Sequence, residues 1–209
     1  MTPADVPAGF APTRRQLPRP KIRPANTALL VIDMERDFVD DGAVMQTPGA
    51  LAIVPAINRL IDWSRRHRLA VIFTHETHRA DQSDMGIESE TDPVHCVEGT
   101  PGCALTAGLD ARPGDYHVRN KRRYDSFHGT DLDLLLRCRR VENLVCCGVT
   151  THQCVMSTVF SARHLDYRAI VPREAVAAVS PAHQAAGLLC MSDVFAYVTD
   201  LETVLSLWD

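Results

Sequence analysis

The 209-residue chain contains no run approaching the roughly 18 consecutive apolar residues that span a bilayer, so no membrane helix is expected. Its first segment holds Pro3, Pro7, Pro12, Pro18, Pro20 and Pro24 but no apolar stretch, and is not expected to be a secretory signal. There is no C-x-x-C pair, and the cysteine count is odd at seven. A disulfide framework is therefore not expected; a reducing, cytoplasmic setting is. Positive charge is not in excess either. Lys and Arg total 22 against 26 Asp and Glu, giving a net charge of −4. That balance argues against a nucleic-acid or membrane-surface partner, both of which favour a basic patch. Internal repeats and low-complexity segments are missing, apart from the Pro-rich arm.

What is present is ordinary for a soluble globular protein: 45% hydrophobic and 23% charged residues, in a length suited to one domain. The reading divides the chain into an irregular arm, 1–25, and a single domain, 26–209. Within the domain, strand-like segments at 27–33, 69–75, 115–120, 144–148, 167–171 and 194–198 alternate with helical ones at 50–67, 131–137, 153–165 and 181–191. In the first helix Ile53, Ile57, Leu60, Ile61 and Ser64 share one side, and Thr130 is a candidate N-cap for the second. This alternation predicts an α/β fold, three layers αβα around a six-stranded, mostly parallel sheet. The segment 78–114 has little periodicity and many Gly, Pro and Asp residues; a loop that long is expected to help wall a pocket.

Sites in such sheets form beyond the carboxyl ends of the strands. Three reactive side chains fall there: Asp33 after the first strand, Lys121 after the third, and Cys154 after the fourth, at a helix start. A helix N-terminus favours a thiolate and can hold an oxyanion. Asp33, following apolar residues, suits a general base, and Lys121 suits a supporting cation. Each has a plainer alternative: Cys154 a packing residue, Asp33 a loop cap, Lys121 a surface lysine in a basic run.

Three segments, A-L-L-V-I-D-M-E-R-D-F at 28–38, K-R-R-Y-D-S-F-H-G-T-D-L at 121–132 and C-G-V-T-T-H-Q-C-V-M-S-T at 147–158, make the chain similar to the isochorismatase-like cysteine hydrolases. That family includes nicotinamidases, N-carbamoylsarcosine amidohydrolase, biuret hydrolase and ureidoacrylate amidohydrolase. The resemblance implies an Asp–Lys–Cys triad at Asp33, Lys121 and Cys154. It also implies a non-proline cis peptide at Val149–Thr150, turning backbone N–H groups of Thr150 or Thr151 and Cys154 towards the substrate carbonyl oxygen. Isochorismatases proper lack the nucleophilic cysteine; its presence here disfavours vinyl-ether cleavage. The implied chemistry is hydrolysis of a small carbamoyl, ureido or carboxamide C–N bond through a thioester, with release of ammonia or an amine.

Nicotinamidases of the family carry a divalent metal on an Asp-x-His pair and a later His. The matching segments here are T-H-E-T-H at 74–78 and H-C-V-E-G-T-P-G at 95–102, with Glu76, His78 and His95 as corresponding ligands. Such a set is adequate for Zn. Glu replaces Asp, however, and metal-free relatives carry E-x-H too, so the expected state is no cofactor and a Zn-type ion is the alternative. Without metal, Glu76 and His78 would orient the loop by pairing with Arg79 or Lys121. Phe38, Tyr124, Phe127, His128, His152 and Gln153 are expected substrate contacts, with core packing as the alternative for the aromatic ones. Arg122 and Arg123 are read as either solvated surface residues or a carboxylate clamp. Cys146 and Cys147, in the fourth strand, are expected to be inert. By analogy with relatives, a homodimer or homotetramer is expected. The competing functions are a metal-dependent nicotinamidase and, from another class, a non-catalytic redox-sensing thiol protein.

Overall fold

The computed structural model describes residues 20–208, so most of the expected arm lies outside the described residues. Seven strands form one sheet: β1 (Thr27–Ile32), β2 (Ala70–Glu76), β3 (Tyr116–Lys121), β4 (Asn143–Val149), β5 (Arg168–Pro172), β6 (Val176–Ala177) and β7 (Ala196–Thr199). Their order is β3-β2-β1-β4-β5-β7, with the two-residue β6 alongside β4. Every pairing is parallel. The six strands read from the sequence are all present. β6 is the addition, too short for any period-2 signal.

Alternation along the central strands explains the three layers. Leu29 and Val31 of β1, with Val145, Cys147 and Val149 of β4, face one core. There they meet Ile53, Ile57, Leu60 and Ile61 of α2 (Ala50–Arg66) and Val204 of the terminal α6 (Leu201–Leu205). Ala28, Leu30 and Ile32, with Leu144 and Cys146, face the opposite core. That side is covered by α3 (Leu132–Cys138), α4 (Met156–His164) and α5 (Pro181–Val194). Strands buried on both faces must read as continuous apolar runs, as β1 does. The C-terminus closes onto α2 through Trp208, which stacks on Trp63 with ring centroids 4.7 Å apart and donates to the Ile22 carbonyl.

Helix ends depart from the sequence reading in small, explicable ways. The N-cap position of α3 is Asp131, whose side chain makes no capping bond; the Thr130 hydroxyl instead accepts the Leu132 N–H at 3.2 Å. The helix expected from Gln153 begins as a wide turn, Thr151–Val155, in which the Val155 N–H reaches back to the Thr150 carbonyl. α1 (Arg36–Val39) and α6 are too short to carry a helical period. α5 continues to Val194 and is capped by the Ser180 hydroxyl, which accepts the His183 N–H.

One contact sets how closely β1 and β4 approach at their carboxyl ends. Gly148 lies opposite Ile32 with φ +114°, and a Cβ there would sit 2.0 Å from the Ile32 carbonyl oxygen. The close atom is backbone and cannot swing aside. Gly148→Ala is therefore expected to destabilise the fold by at least about 3 kcal/mol, read as a fall in the urea midpoint. A midpoint within error of wild type would refute this.

Candidate active site

Asp33 is the first residue past β1, in a left-handed conformation with φ +49°. This turn directs its carboxylate along the sheet end, where the Thr74 hydroxyl of β2 donates to Oδ1 at 2.8 Å. Lys121 closes β3, two strands away from β1. The register between β2 and β3 slips between Thr74 and Glu76, so three residues of β3 answer two of β2. Such a bulge turns the next side chain to the opposite face. Lys121 thereby shares the side of Val118 instead of alternating away from it. Its long stem crosses β2, and its Nζ lies 2.6 Å from Asp33 Oδ2, 2.9 Å from Glu76 Oε2 and 3.6 Å from Cys154 Sγ. Lys121 is fully buried. Cys154, on the wide turn after β4, also lies 3.9 Å from Glu76 Oε2. The peptide Val149–Thr150 is cis.

The electrostatics follow from one cation among three acidic groups. Burial would lower the Lys121 pKa, but Asp33, Cys154 and Glu76 outweigh it and hold the ammonium well above its ordinary value. Burial raises Glu76, but Lys121 and His95 pull it down to about 2. Asp33 goes the other way: burial raises it, Lys121 opposes, and the neighbouring Glu76 adds to the rise. Burial also pushes the Cys154 thiol well above its ordinary value, against the pull of Lys121; Asp33 and Glu76 push it further, and a hydrogen bond with Asp33 keeps the proton on sulfur. A thiolate favoured by a helix N-terminus, as read from the sequence, is therefore corrected. The residue sits on a wide turn beside two carboxylates, and the resting group is a thiol facing a proton acceptor.

Asp33, Glu76 and Cys154 form the floor of an open pocket, with Lys121 beneath it. Phe38, Tyr124 and Gln153, expected as substrate contacts, line it, with Val149 and Thr150 of the cis peptide and His95 from the long 78–114 loop. Phe127, His128 and His152 are not among its lining residues. Phe127 is half-buried and stacks on Tyr167, His128 is exposed, and His152 packs against His183 with ring centroids 4.5 Å apart. All three lie within the motif segments 121–132 and 147–158, but the turns there carry them away from the pocket. Thr151 is buried, its hydroxyl bonded to Gln184. Arg122 pairs with Asp84 at 3.1 Å and Arg123 lies 3.7 Å from Glu88, so neither forms a clamp in the pocket. Met45, Thr47, Glu88, Asp92 and Val179 line the pocket without having been read from the sequence. Glu88 stands on a short 3-10 helix, Gly86–Glu90, and the others on loops, where no local signal marks which side chain turns inward.

Beside the triad residues lies a second cluster. Glu76, His78, Glu88 and His95 present ligand atoms that all fall within 4.8 Å of one another. Glu76 Oε1 lies 3.7 Å from His78 Nε2 and 3.6 Å from His95 Nε2, and Glu88 Oε2 is 3.9 Å from His78 Nε2. Glu76 Oε1, His78 Nε2 and Glu88 Oε2 are buried and lack a hydrogen-bond partner. His95 Nδ1 contacts the Pro93 carbonyl at 2.8 Å, which orients Nε2 inwards. The donor set fits a Zn-type ion. Glu76 serves both clusters, Oε2 towards Lys121 and Oε1 towards the histidines. Cys146 and Cys147 are buried, their thiols pushed up by burial, Cys146 to about 12.

A parallel αβα sheet with a buried Asp, Lys and Cys gathered at the carboxyl ends of its strands defines a narrow class of protein. Residues 27–203 match the isochorismatase domain model, and the chain belongs to the isochorismatase family. Among curated relatives, a "probable inactive nicotinamidase" of Arabidopsis thaliana is 35% identical over 81% of this chain and 89% of its own length. A ureidoacrylate amidohydrolase of Agrobacterium fabrum is 27% identical over 77% and 79%. Among solved structures, a cysteine hydrolase from Pseudomonas syringae superposes with a TM-score of 0.86 at 27% identity, covering 93% of this chain and 97% of that one. A pyrazinamidase of Pyrococcus horikoshii in complex with zinc superposes with a TM-score of 0.77 at 26% identity, covering 84% and 99%.

Removing the shared cation should cost more than one ion pair. Lys121→Met is expected to lower the unfolding free energy by about 3–5 kcal/mol, because two buried carboxylates would then face each other uncompensated. Chemical denaturation checks this, and a loss under about 1 kcal/mol would mean that water or another cation replaces the ammonium.

Proposed function

We propose that the protein hydrolyses a small carboxamide, carbamoyl or ureido C–N bond by covalent catalysis on Cys154. The observation that carries the proposal is the thiol of Cys154 at the floor of an open pocket, in contact with a buried Asp33–Lys121 pair. In this reading Asp33 accepts the thiol proton as sulfur attacks the substrate carbonyl carbon. The backbone N–H groups of Thr150 or Thr151 and of Cys154 take up the developing oxyanion. Asp33 then returns the proton to the leaving nitrogen, the C–N bond breaks, and ammonia or an amine departs. Water, deprotonated by Asp33, hydrolyses the thioester and restores the thiol. Lys121 holds Asp33 in place and offsets negative charge throughout. The raised pKa of Asp33 suits it for both directions of transfer, whereas Glu76, held at about 2, remains a fixed counter-ion. The relatives named as amidohydrolases support the same bond type.

The test is ammonia release from nicotinamide, biuret, N-carbamoylsarcosine, maleamate and ureidoacrylate. Cys154→Ala should abolish turnover of whichever compound reacts, and Asp33→Asn should lower kcat by about 10²–10⁴-fold. Equal turnover by wild type and Cys154→Ala would sink the covalent mechanism. Because Asp33 must be ionised to act, kcat/KM should rise with pH through an inflection above the ordinary 3.8. An acid limb at or below that value would remove Asp33 as the base.

A second reading is favoured by the unpartnered atoms of Glu76, His78 and Glu88 facing His95. These four residues would hold a divalent ion such as Zn, which supplies Lewis acidity and a fixed positive charge beside the thiol. In the metal-free reading His95 is instead the cationic partner of Glu76. Burial lowers its pKa, but the Glu76 carboxylate 3.6 Å away and the Pro93 carbonyl outweigh this and raise it. Metal analysis of the purified protein separates the two. Stoichiometric zinc that is lost in His78→Ala and His95→Ala supports the ion. No bound metal, with ammonia release unchanged by chelator, supports the metal-free site.

A further inference from the structure

We infer that the pocket selects amides that carry no carboxylate, so that its substrate is a neutral or cationic carboxamide, carbamoyl or ureido compound. The inference rests on the hydrolase reading above and narrows it.

Among the described residues, four acidic side chains stand on the pocket wall, and the one lining group able to carry positive charge against them, His95, is turned to Glu76. Asp33, Glu76, Glu88 and Asp92 all line the pocket, whereas among the described residues no lysine or arginine does. The cations close by are already committed. Lys121 lies beneath the floor, fully buried between Asp33 and Glu76. Arg122 is turned to Asp84, and Arg123 donates to the Arg122 carbonyl beside Glu88. Glu88 is 5% exposed, and its buried Oε2 accepts no hydrogen bond. Asp92 accepts only a long bond, 3.4 Å, from the Tyr124 hydroxyl. Much of the remaining wall is apolar, formed by Phe38, Met45, Val149 and Val179.

A substrate carboxylate entering this space would meet like charges across a few ångströms of partly excluded water and no guanidinium or ammonium to pair with. Recognition of carboxylates otherwise relies on such groups. A neutral amide or a protonated amine suffers no such repulsion, and its N–H groups find acceptors in Glu88 and Asp92. Asp92, which faces no cation, and Glu88, whose Arg123 partner is 3.7 Å away, should together weigh against an anion by roughly tenfold or more.

Two measurements on the protein as purified test this. The first needs no substrate. Cys154 is alkylated with iodoacetamide and with iodoacetate, which differ in charge and little in size, and site-resolved rates are taken by mass spectrometry. The rate ratio is normalised to that of free cysteine and of the exposed Cys190. The normalised ratio at Cys154 is expected to favour the neutral reagent by at least about tenfold, and to fall severalfold in the Glu88→Gln, Asp92→Asn double variant. A ratio near one, or one unmoved by the double variant, would overturn the inference. If Cys154, holding its proton at rest, reacts with neither reagent, the second measurement decides, and equal or greater use of the acid there overturns the inference.

The second measurement compares maleamate with its methyl ester in the ammonia assay. The ester should be preferred by kcat/KM, and equal or greater use of the acid would overturn the inference. Absence of all ammonia release, with the alkylation ratio as expected, would instead strike the hydrolase reading and leave the charge of the pocket standing.

Discussion

The site depends on one buried ammonium. Lys121 is withdrawn from water and lies within 2.9 Å of two carboxylates that belong to other strands. A charge so buried is tolerated only if it is paired. The demand runs both ways: Asp33 and Glu76 are equally buried and need the cation. The order β3-β2-β1 places the three side chains in reach. The bulge opposite Glu76 turns Lys121 to the correct face, and the left-handed turn at Asp33 delivers the last carboxylate.

One cation shared unequally by two acids produces a division of labour. Glu76 receives support from both Lys121 and His95 and stays ionised, while Asp33 is left with the more easily accepted proton. Cys154, surrounded by these acids, holds its proton at rest. In the proposed mechanism the nucleophile is thus made only when a substrate carbonyl is there to receive it, which protects a buried thiol from idle oxidation. The same carboxylates, extended upward by Glu88 and Asp92, give the pocket its charge.

Much of this was legible in the chain. The apolar runs of β1, β2 and β4 leave no polar face, which already requires helices on both sides of a parallel sheet. The helical stripe of Ile53, Ile57, Leu60 and Ile61 shows which face of α2 is buried. The strand-end positions of Asp33, Lys121 and Cys154 brought the three together under the general rule for parallel sheets. By contrast Phe127, His128 and His152 lie within the same motif segments but are not among the residues lining the pocket. The turns after β3 and β4 direct them elsewhere.

The amino-acid sequence by itself determined the layers, the six main strands and the strand-end placement of Asp33, Lys121 and Cys154, because periodicity and position along a strand are local properties. Tertiary structure decided how protons and charges are shared among them. The pull of Glu76 between Lys121 and the histidines, the upward shift of the thiol, and the inward turn of Glu88 and Asp92 depend on distances between segments tens of residues apart. Coulomb energies and desolvation scale with those distances and with burial, and neither quantity exists until the chain has folded.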